Sequence, residues 1–372
     1  MKTSRAATKV RYALVGLGHI AQVAVLPAFA HARRNSRLAA LVSGDPTKLA
    51  ELARGDSQIR CTSYDEYEAL LRSGDVDAVY LALPNHLHCE FAVRAAAAGV
   101  HVLCEKPLAL TAKECERMID AAEDAGVKLM TAYRLHFDRA NLSARQLAER
   151  GKELGQARFF ASVFSQQVRE GNARLDRRIG GGPLYDIGIY CINAARMMFG
   201  AEPVEVTAVR ASGRDERFKE VDEMVSAILR FPEERLAAFT ISFGAADVSH
   251  YRVVGTQGDL VLEPGYDYVE SLVERLTVNG KTRSKKYPRG DQFAPELLYF
   301  SDCILNDAEP EPSGLEGLCD VQIIEALTQS ADAGRPVPLS LPRRSRRPGI
   351  EQATHRPPVR KPELVHAEAS TR

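Results

Sequence analysis

Apolar residues are spaced in two different rhythms along this chain. In the first third, short continuous apolar runs alternate with amphipathic stretches. Lys9–Val15 (KVRYALV), Arg37–Ser43 (RLAALVS), Val76–Leu83 (VDAVYLAL), Val100–Cys104 and Val127–Thr131 read as strands buried on both faces. Helical spacing between them predicts helices from His19 to about Ala32, irregular at Pro27, and over Pro46–Arg54 with Asp45 as N-cap. Further helices are expected over Glu66–Arg72, over Leu87–Ala98 up to Gly99, and from a Thr111 cap to Ala125. Strands alternating with such helices predict βαβ units and a doubly wound parallel sheet that closes near Tyr133.

After a helix at about Asp138–Arg150 the rhythm changes. Strand-like segments at Ala157–Phe164, Val204–Ala211, Met224–Arg230, Leu236–Phe243, Tyr251–Val254 and Leu260–Glu263 follow one another with few helices between them. That order predicts a largely antiparallel sheet. One helix interrupts it, over Asp186–Phe199, just after Gly180-Gly181-Gly182-Pro183. Helices at Pro295–Leu305 and Leu315–Asp332 are expected to return and pack against the first domain. The fold class is therefore α/β: an N-terminal Rossmann doubly wound parallel sheet (1–134), then a C-terminal α+β domain with a largely antiparallel open sheet (135–340). An exposed sheet face would be expected to bury itself against another subunit, which predicts a homo-oligomer, dimer or tetramer. The segment 341–372 holds five of the nineteen prolines and is expected to be disordered.

Composition adds little until the charge is divided. The 372 residues are 45% hydrophobic and 26% charged, and 49 Lys+Arg balance 49 Asp+Glu. No whole-chain charge draws DNA or an anionic membrane. Yet 341–372 holds eight basic residues (Arg343, Arg344, Arg346, Arg347, Arg356, Arg360, Lys361, Arg372) against Glu351, Glu363 and Glu368. The tail is +5 and the body −5. RRSRRP could be a nucleic-acid or partner arm, but with so few aromatics a solvated tail is the favoured reading. Seven scattered cysteines without a CxxC pair suggest reduced thiols and a reducing compartment. No apolar run is long enough to span a membrane, no secretory h-region precedes the first strand, and the cytoplasm is the expected location.

Candidate chemistry sits at the strand ends. Gly16-Leu17-Gly18-His19-Ile20-Ala21 follows the first strand and opens a helix. Gly16 permits the tight turn, Gly18 lets a pyrophosphate approach the backbone, and Ala21 allows close helix–sheet packing. The second strand ends in Ser43-Gly44 with Lys48 beyond, which suits the 2′-phosphate of NADP; Asp45, either a helix cap or a ribose ligand, keeps NAD open. Tyr64 is a candidate neighbour of the adenine. Leu83, Pro84, Asn85 and His88 end the third major strand and are assigned to the cofactor edge. His86 and His88 lack the cysteine or carboxylate cluster a metal site needs, so no metal is assigned. Glu105-Lys106-Pro107 ends the next strand, where Glu105 and Lys106 are again assigned to the cofactor edge, with Pro107 stiffening the turn that carries the lysine; an exposed Glu–Lys pair is the bland alternative.

Four motifs occur in order: AxVGLGHIA near the start, PNxLHxE, CEKPLA, and GGGPLYDIGIY in the second domain. Together they resemble the glucose–fructose oxidoreductase / inositol dehydrogenase (Gfo/Idh/MocA) family over roughly residues 10–336. YRLHF, LDRRIGGGPLYDIGIYCINAARMMFG and DERFKEVDE are similar to its glucose–fructose and aldose oxidoreductase members. The resemblance implies that Lys106 is catalytic and that the family pattern D-x-G-x-H falls on Asp186, Gly188 and Tyr190, with tyrosine in place of histidine. By the same mapping Tyr133, Arg134, Arg178 and Asn193 are substrate-shell candidates, each of which could equally be structural.

Spacing is compatible with this. Asp186, Tyr190 and Asn193 can share one helix face. Oxidising an alcohol needs a base for the hydroxyl proton. A free phenol, with pKa about 10, is a poor one, and a neighbouring ammonium favours the phenolate. The reading is an NADP(H)-dependent sugar oxidoreductase acting on a cyclic aldose at C1 to give a lactone. Tyr190 moves the proton, Lys106 tunes it and holds the reacting oxygen, and Asp186 orients a sugar hydroxyl. By resemblance the hydride could pass to a second aldose or ketose on a retained cofactor. The alternatives are an NAD-dependent inositol or polyol dehydrogenase and a non-catalytic dinucleotide sensor.

Overall fold

The computed structural model describes residues 9–149, 151–342, 346–360, 362–369 and 371. Arg150, the expected end of one helix, and Arg343, Arg344, Lys361 and Arg372 of the basic tail lie outside the described residues. So do residues 1–8, where the lack of a secretory segment was read.

The first sheet is built from β1 (Val10–Val15), β2 (Ser36–Val42), β3 (Arg60–Thr62), β4 (Ala78–Leu81), β5 (His101–Glu105) and β6 (Leu129–Ala132). All its pairings are parallel, in the order β3-β2-β1-β4-β5-β6. This is the dinucleotide-fold order, and the direction of winding reverses between β1 and β4. Because helices cover both faces, strand residues such as Leu14, Val42, Val79 and Leu103 are fully buried. The covering helices are α1 (19–28), α2 (Pro46–Leu52), α3 (Tyr67–Arg72), α4 (His88–Ala97) and α5 (Ala112–Asp124). Asp45 caps α2 through Thr47 and Lys48, and Thr111 forms a capping box with Glu114 on α5, as their spacing predicts. β3 escaped the sequence reading: a three-residue edge strand carries too little alternation to register.

After α6 (Arg139–Ala148), β7 (Ala157–Ser165) opens a nine-stranded sheet. Helix α7 (183–199) follows, then β8 (Glu205–Ala211), β9 (Met224–Phe231), β10 (Arg235–Ser242), β11 (Val248–Gly255) and β12 (Gly258–Glu263). β13 (Leu272–Val278), β14 (Lys281–Tyr287) and the short β15 (Val337–Pro338) complete it. The order is β14-β13-β12-β11-β7-β10-β9-β8-β15, and among the described residues the only parallel neighbours in it are β7 and β10. The β13–β14 hairpin was not expected. Its second strand, KTRSKKY, is polar and exposed at six of seven positions, so no apolar alternation marks it. The signal lay in the turn: Asn279-Gly280, both at positive φ, is a favoured two-residue hairpin connection.

One face of this sheet packs on α7 and on α9 (Gly314–Ala333), while α8 (Ala294–Leu305) returns to β1 and β2 of the first sheet. The opposite face is open. β9 alternates strictly, with Val225, Ala227, Leu229 and Phe231 inward and Met224 and Ile228 outward and exposed.

The tail is not a solvated free chain over its described residues. Arg346 donates to the Glu309 carbonyl, Arg347 pairs with Glu202, and Gln352 donates to the Glu311 carbonyl. Asp291 N–H donates to the Arg356 carbonyl, and Val365 and Gln22 exchange two hydrogen bonds. Composition argued for disorder because the tail has few apolar groups to bury. Its described residues are held instead by hydrogen bonds that involve backbone groups and by the Arg347–Glu202 ion pair.

Candidate active site

The carboxyl ends of β1, β4 and β5 face a crevice of about 640 Å³ that also reaches the second sheet. At its floor β1 runs into Gly16, whose φ is 88°. A Cβ there would lie 2.5 Å from the Ala82 carbonyl oxygen, so glycine is required for the turn. Gly18 differs, because a Cβ built on it meets nothing within 4 Å. That open space lies over the backbone at the start of α1, where a pyrophosphate would sit. Leu17 is buried beneath the turn, and His19 and Ile20 line the crevice.

At the end of β2, Ser43 is buried and its hydroxyl accepts from Asp45 N–H at 3.1 Å. Gly44 is exposed, and its Cβ would stand 3.3 Å from the ring of Tyr64. Lys48 makes no ion pair among the described residues. Leu83, Pro84 and Asn85 line the crevice, and Asn85 donates to the Gly180 carbonyl of the second domain at 2.9 Å. His88 is a brace rather than a cofactor contact. Fully buried, its ring sits between the Pro107 and Leu83 carbonyls at 2.8 and 2.9 Å, and burial holds its pKa down.

Lys106 follows directly from β5 and its bond to Pro107 is cis. Its ammonium donates to the Asp186 carbonyl at 2.7 Å and to Asp186 Oδ1 at 3.2 Å. Glu105 accepts from the Tyr80 hydroxyl at 2.8 Å, and burial pushes its carboxyl up. Asp186 stands on a π turn, Leu184–Gly188, inside the first part of α7. Such one-turn widenings recur at functional sites. Burial pushes the Asp186 carboxyl up, but Arg174, then Lys106, outweigh it and hold it well below the usual carboxylate range. Arg174 Nε lies 2.6 Å from Oδ2 and Gln166 Nε2 3.1 Å from it.

Tyr190 stands one turn further along the helix. The Lys106 ammonium lies 4.8 Å from its ring centroid and the Arg134 guanidinium carbon 4.9 Å, so two cations flank the ring. Arg134 is buried and donates to Gln292 and the Tyr266 carbonyl. Lys106, Asp186, Tyr190 and Arg134 thus share one cavity wall.

Three substrate-shell candidates stand elsewhere. Asn193 is buried and joins His136 at 2.8 Å, Glu316 at 2.8 Å and Asp320 at 2.9 Å, because α9 covers that turn of α7. Tyr133 donates its hydroxyl to Asp320 in the same network and stacks on His136. Arg178 is a surface residue paired with Asp176 at 2.8 Å. Arg174 was missed in its favour. Three arginines crowd ARLDRR, and only the turn that Asn172 caps directs the first of them inward. Gln166, at the exit of β7, had no local signal. Among the described residues no group of His, Cys, Asp or Glu could hold a metal ion.

These features recur in known proteins. Residues 10–133 match the model of an oxidoreductase family with an NAD-binding Rossmann fold, GFO/IDH/MocA, and residues 142–261 match the C-terminal domain model of that family. A D-xylose 1-dehydrogenase [NADP(+)] from Haloarcula marismortui is 32% identical over 87% of this chain and 91% of its own. Among solved structures, an aldose–aldose oxidoreductase from Caulobacter crescentus complexed with glycerol superposes with a TM-score of 0.84 and 38% identity. That match covers 89% of this chain and 100% of the other. A 3-ketoreductase from Actinomadura kijaniata, in complex with NADP and TDP-benzene, gives a TM-score of 0.78 at 27% identity over 87% of this chain and 98% of its own. With both halves of the fold matched and a one-third-identical relative spanning most of its length, the chain belongs to the GFO/IDH/MocA oxidoreductase family.

Proposed function

We propose that this enzyme is an NADP(H)-dependent aldose oxidoreductase that oxidises a cyclic sugar at C1 to its lactone. The observation that carries the reading is the meeting of Lys106, Asp186 and Tyr190 in one crevice beside the Gly16–Gly18 turn. Relatives named for NADP-dependent D-xylose oxidation and aldose–aldose oxidoreduction support the substrate class. Gly18 with its open cradle, the backbone N–H groups that follow it, Ser43 and Lys48 would hold the dinucleotide. When bound, that cofactor supplies the acceptor for hydride from the sugar carbon.

This chain's residues then handle the proton and the orientation. Tyr190, as the phenolate, takes the proton of the C1 hydroxyl as the carbonyl forms and becomes the neutral phenol, and Lys106 and Arg134 beside its ring stabilise the phenolate before that transfer. Asp186, ionised and clamped by Arg174 and Gln166, accepts a hydrogen bond from a sugar hydroxyl and cannot act as the acid. Passing the hydride on to a second sugar reverses these steps, with Tyr190 returning the proton to the new alcohol. A panel of monosaccharides mixed with the enzyme and NADP tests the reading. Reduced-nicotinamide absorbance should rise with an aldose, and bleach on addition of an acceptor sugar; no change with any aldose sinks it.

The open sheet face carries the assembly proposal. Phe159, Val209, Ile228 and Leu236 are exposed around a shallow depression there, and a second copy of the chain would cover them. Light scattering on Ile228→Glu should report a smaller species than the parent. All seven cysteines are free, as the proposed cytoplasmic location allows, and among the described residues no helix is long and apolar enough to cross a membrane.

A further inference from the structure

The C-terminal segment ends at the cofactor crevice. Val365 N–H donates to Gln22 Oε1 and the Val365 carbonyl accepts from Gln22 Nε2, both at 2.9 Å. The same Gln22 amide nitrogen donates to the Leu17 carbonyl at 2.9 Å, so the segment is tied to the glycine turn itself. The chain then turns at His366, whose φ of 44° lies in the left-handed region that histidine tolerates better than most residues. His366 Nδ1 reaches Asp45 Oδ2 at 2.9 Å. Thr371 bridges Val168, and Ala369 and Thr371 line the crevice.

Asp45 is the carboxylate that left the choice between NAD and NADP open, and both its oxygens are engaged. Oδ1 accepts from Thr47 and Lys48 N–H at 2.9 and 3.1 Å, and Oδ2 faces His366. The contact with His366, then the helix amides, holds this carboxyl below its usual range. A free Oδ2 at the end of β2 would accept from a ribose hydroxyl and repel a phosphate.

We propose that the C-terminal segment is part of the dinucleotide site, where His366 takes up the Asp45 carboxylate and so leaves the ribose position to a 2′-phosphate. The inference rests on the dinucleotide reading above. His366 is a positioning residue: it acts through Asp45, and Ser43 and Lys48 face the phosphate.

Titration of the full-length enzyme with NADP and with NAD, followed by calorimetry, tests this without turnover. His366→Ala should lower the ratio of NADP to NAD affinity about five- to tenfold, the effect of one uncompensated charge near a phosphate in a solvent-exposed site. In an Asp45→Asn background, which keeps the helix cap, His366→Ala should leave the ratio unchanged, because no carboxylate remains to be taken up. An equal fall in both backgrounds, or none in either, overturns the proposal. So does tighter binding of both dinucleotides to a chain ended after Pro362, which would make the segment a competitor. If the parent binds neither dinucleotide, the dinucleotide reading itself falls; if it binds both with no dependence on His366, only this inference does.

Discussion

Replacing Tyr190 with phenylalanine separates the proposed proton transfer from the packing of the ring. Its ring packs against Phe164 with centroids 5.8 Å apart and Tyr266 at 6.0 Å, and lies under Lys106 and Arg134. Phenylalanine keeps all four contacts and removes one hydroxyl. A partly buried hydroxyl contributes about 1 kcal/mol or less to stability, so the melting temperature should barely move. A positioned acid–base group contributes about 10²- to 10⁴-fold, or roughly 3–5 kcal/mol of barrier. We therefore expect kcat and kcat/KM for the best aldose to fall together by about that factor, the mark of an interaction made only in the transition state. Dinucleotide affinity should stay within about twofold, since the role proposed for the hydroxyl is toward the sugar. The assay is the progress of nicotinamide reduction, with NADP titration and a thermal melt on the same sample. A folded, NADP-binding Tyr190→Phe enzyme within about tenfold of the parent rate would refute the assignment.

Other residues can be tested in the same way. Gly18→Ala fills open space without a clash in the protein, so calorimetry should show NADP affinity falling about ten- to a hundredfold with stability unchanged. Gly16→Ala, forced against the Ala82 carbonyl at positive φ, should lose stability as well in a thermal melt. Arg196 is completely buried among Glu202, Glu316 and Asp320, so Arg196→Met takes a buried cation from three carboxylates and should cost about 3–5 kcal/mol by urea denaturation; under 1 kcal/mol would show that the network carries little stability. Asp186 has a folded pKa depressed below an unfolded value of about 3.9, so its stabilisation is complete above that value and lost as pH falls toward the folded one. The stability gap between parent and Asp186→Asn should therefore be flat from about pH 5 to 8 and shrink only below about pH 4, as followed by urea denaturation across pH.

Features settled within a few residues of one another were legible in the sequence. Strand runs, the Asp45 and Thr111 caps and the Gly16–Gly18 turn depend on local spacing and backbone freedom, and they appear where the pattern puts them. The motifs that carry Lys106, Asp186 and Tyr190 were legible too, through their resemblance to the family, and the structure brings the three residues to one crevice. Which polar side chain faces the crevice was not. Tyr133 is claimed by Asp320, 187 positions away, and Asn193 by Glu316 and Asp320. Arg174 rather than Arg178 turns inward because a capped turn and the half-buried Asp186 select it. The tail shows the limit most plainly. Its composition argues for solvent, yet Val365 meets Gln22 across 343 positions and His366 reaches Asp45. Periodicity and capping are local, so sequence determines them; the partner of a buried or docked polar group is chosen by tertiary packing, which brings distant segments within hydrogen-bonding range.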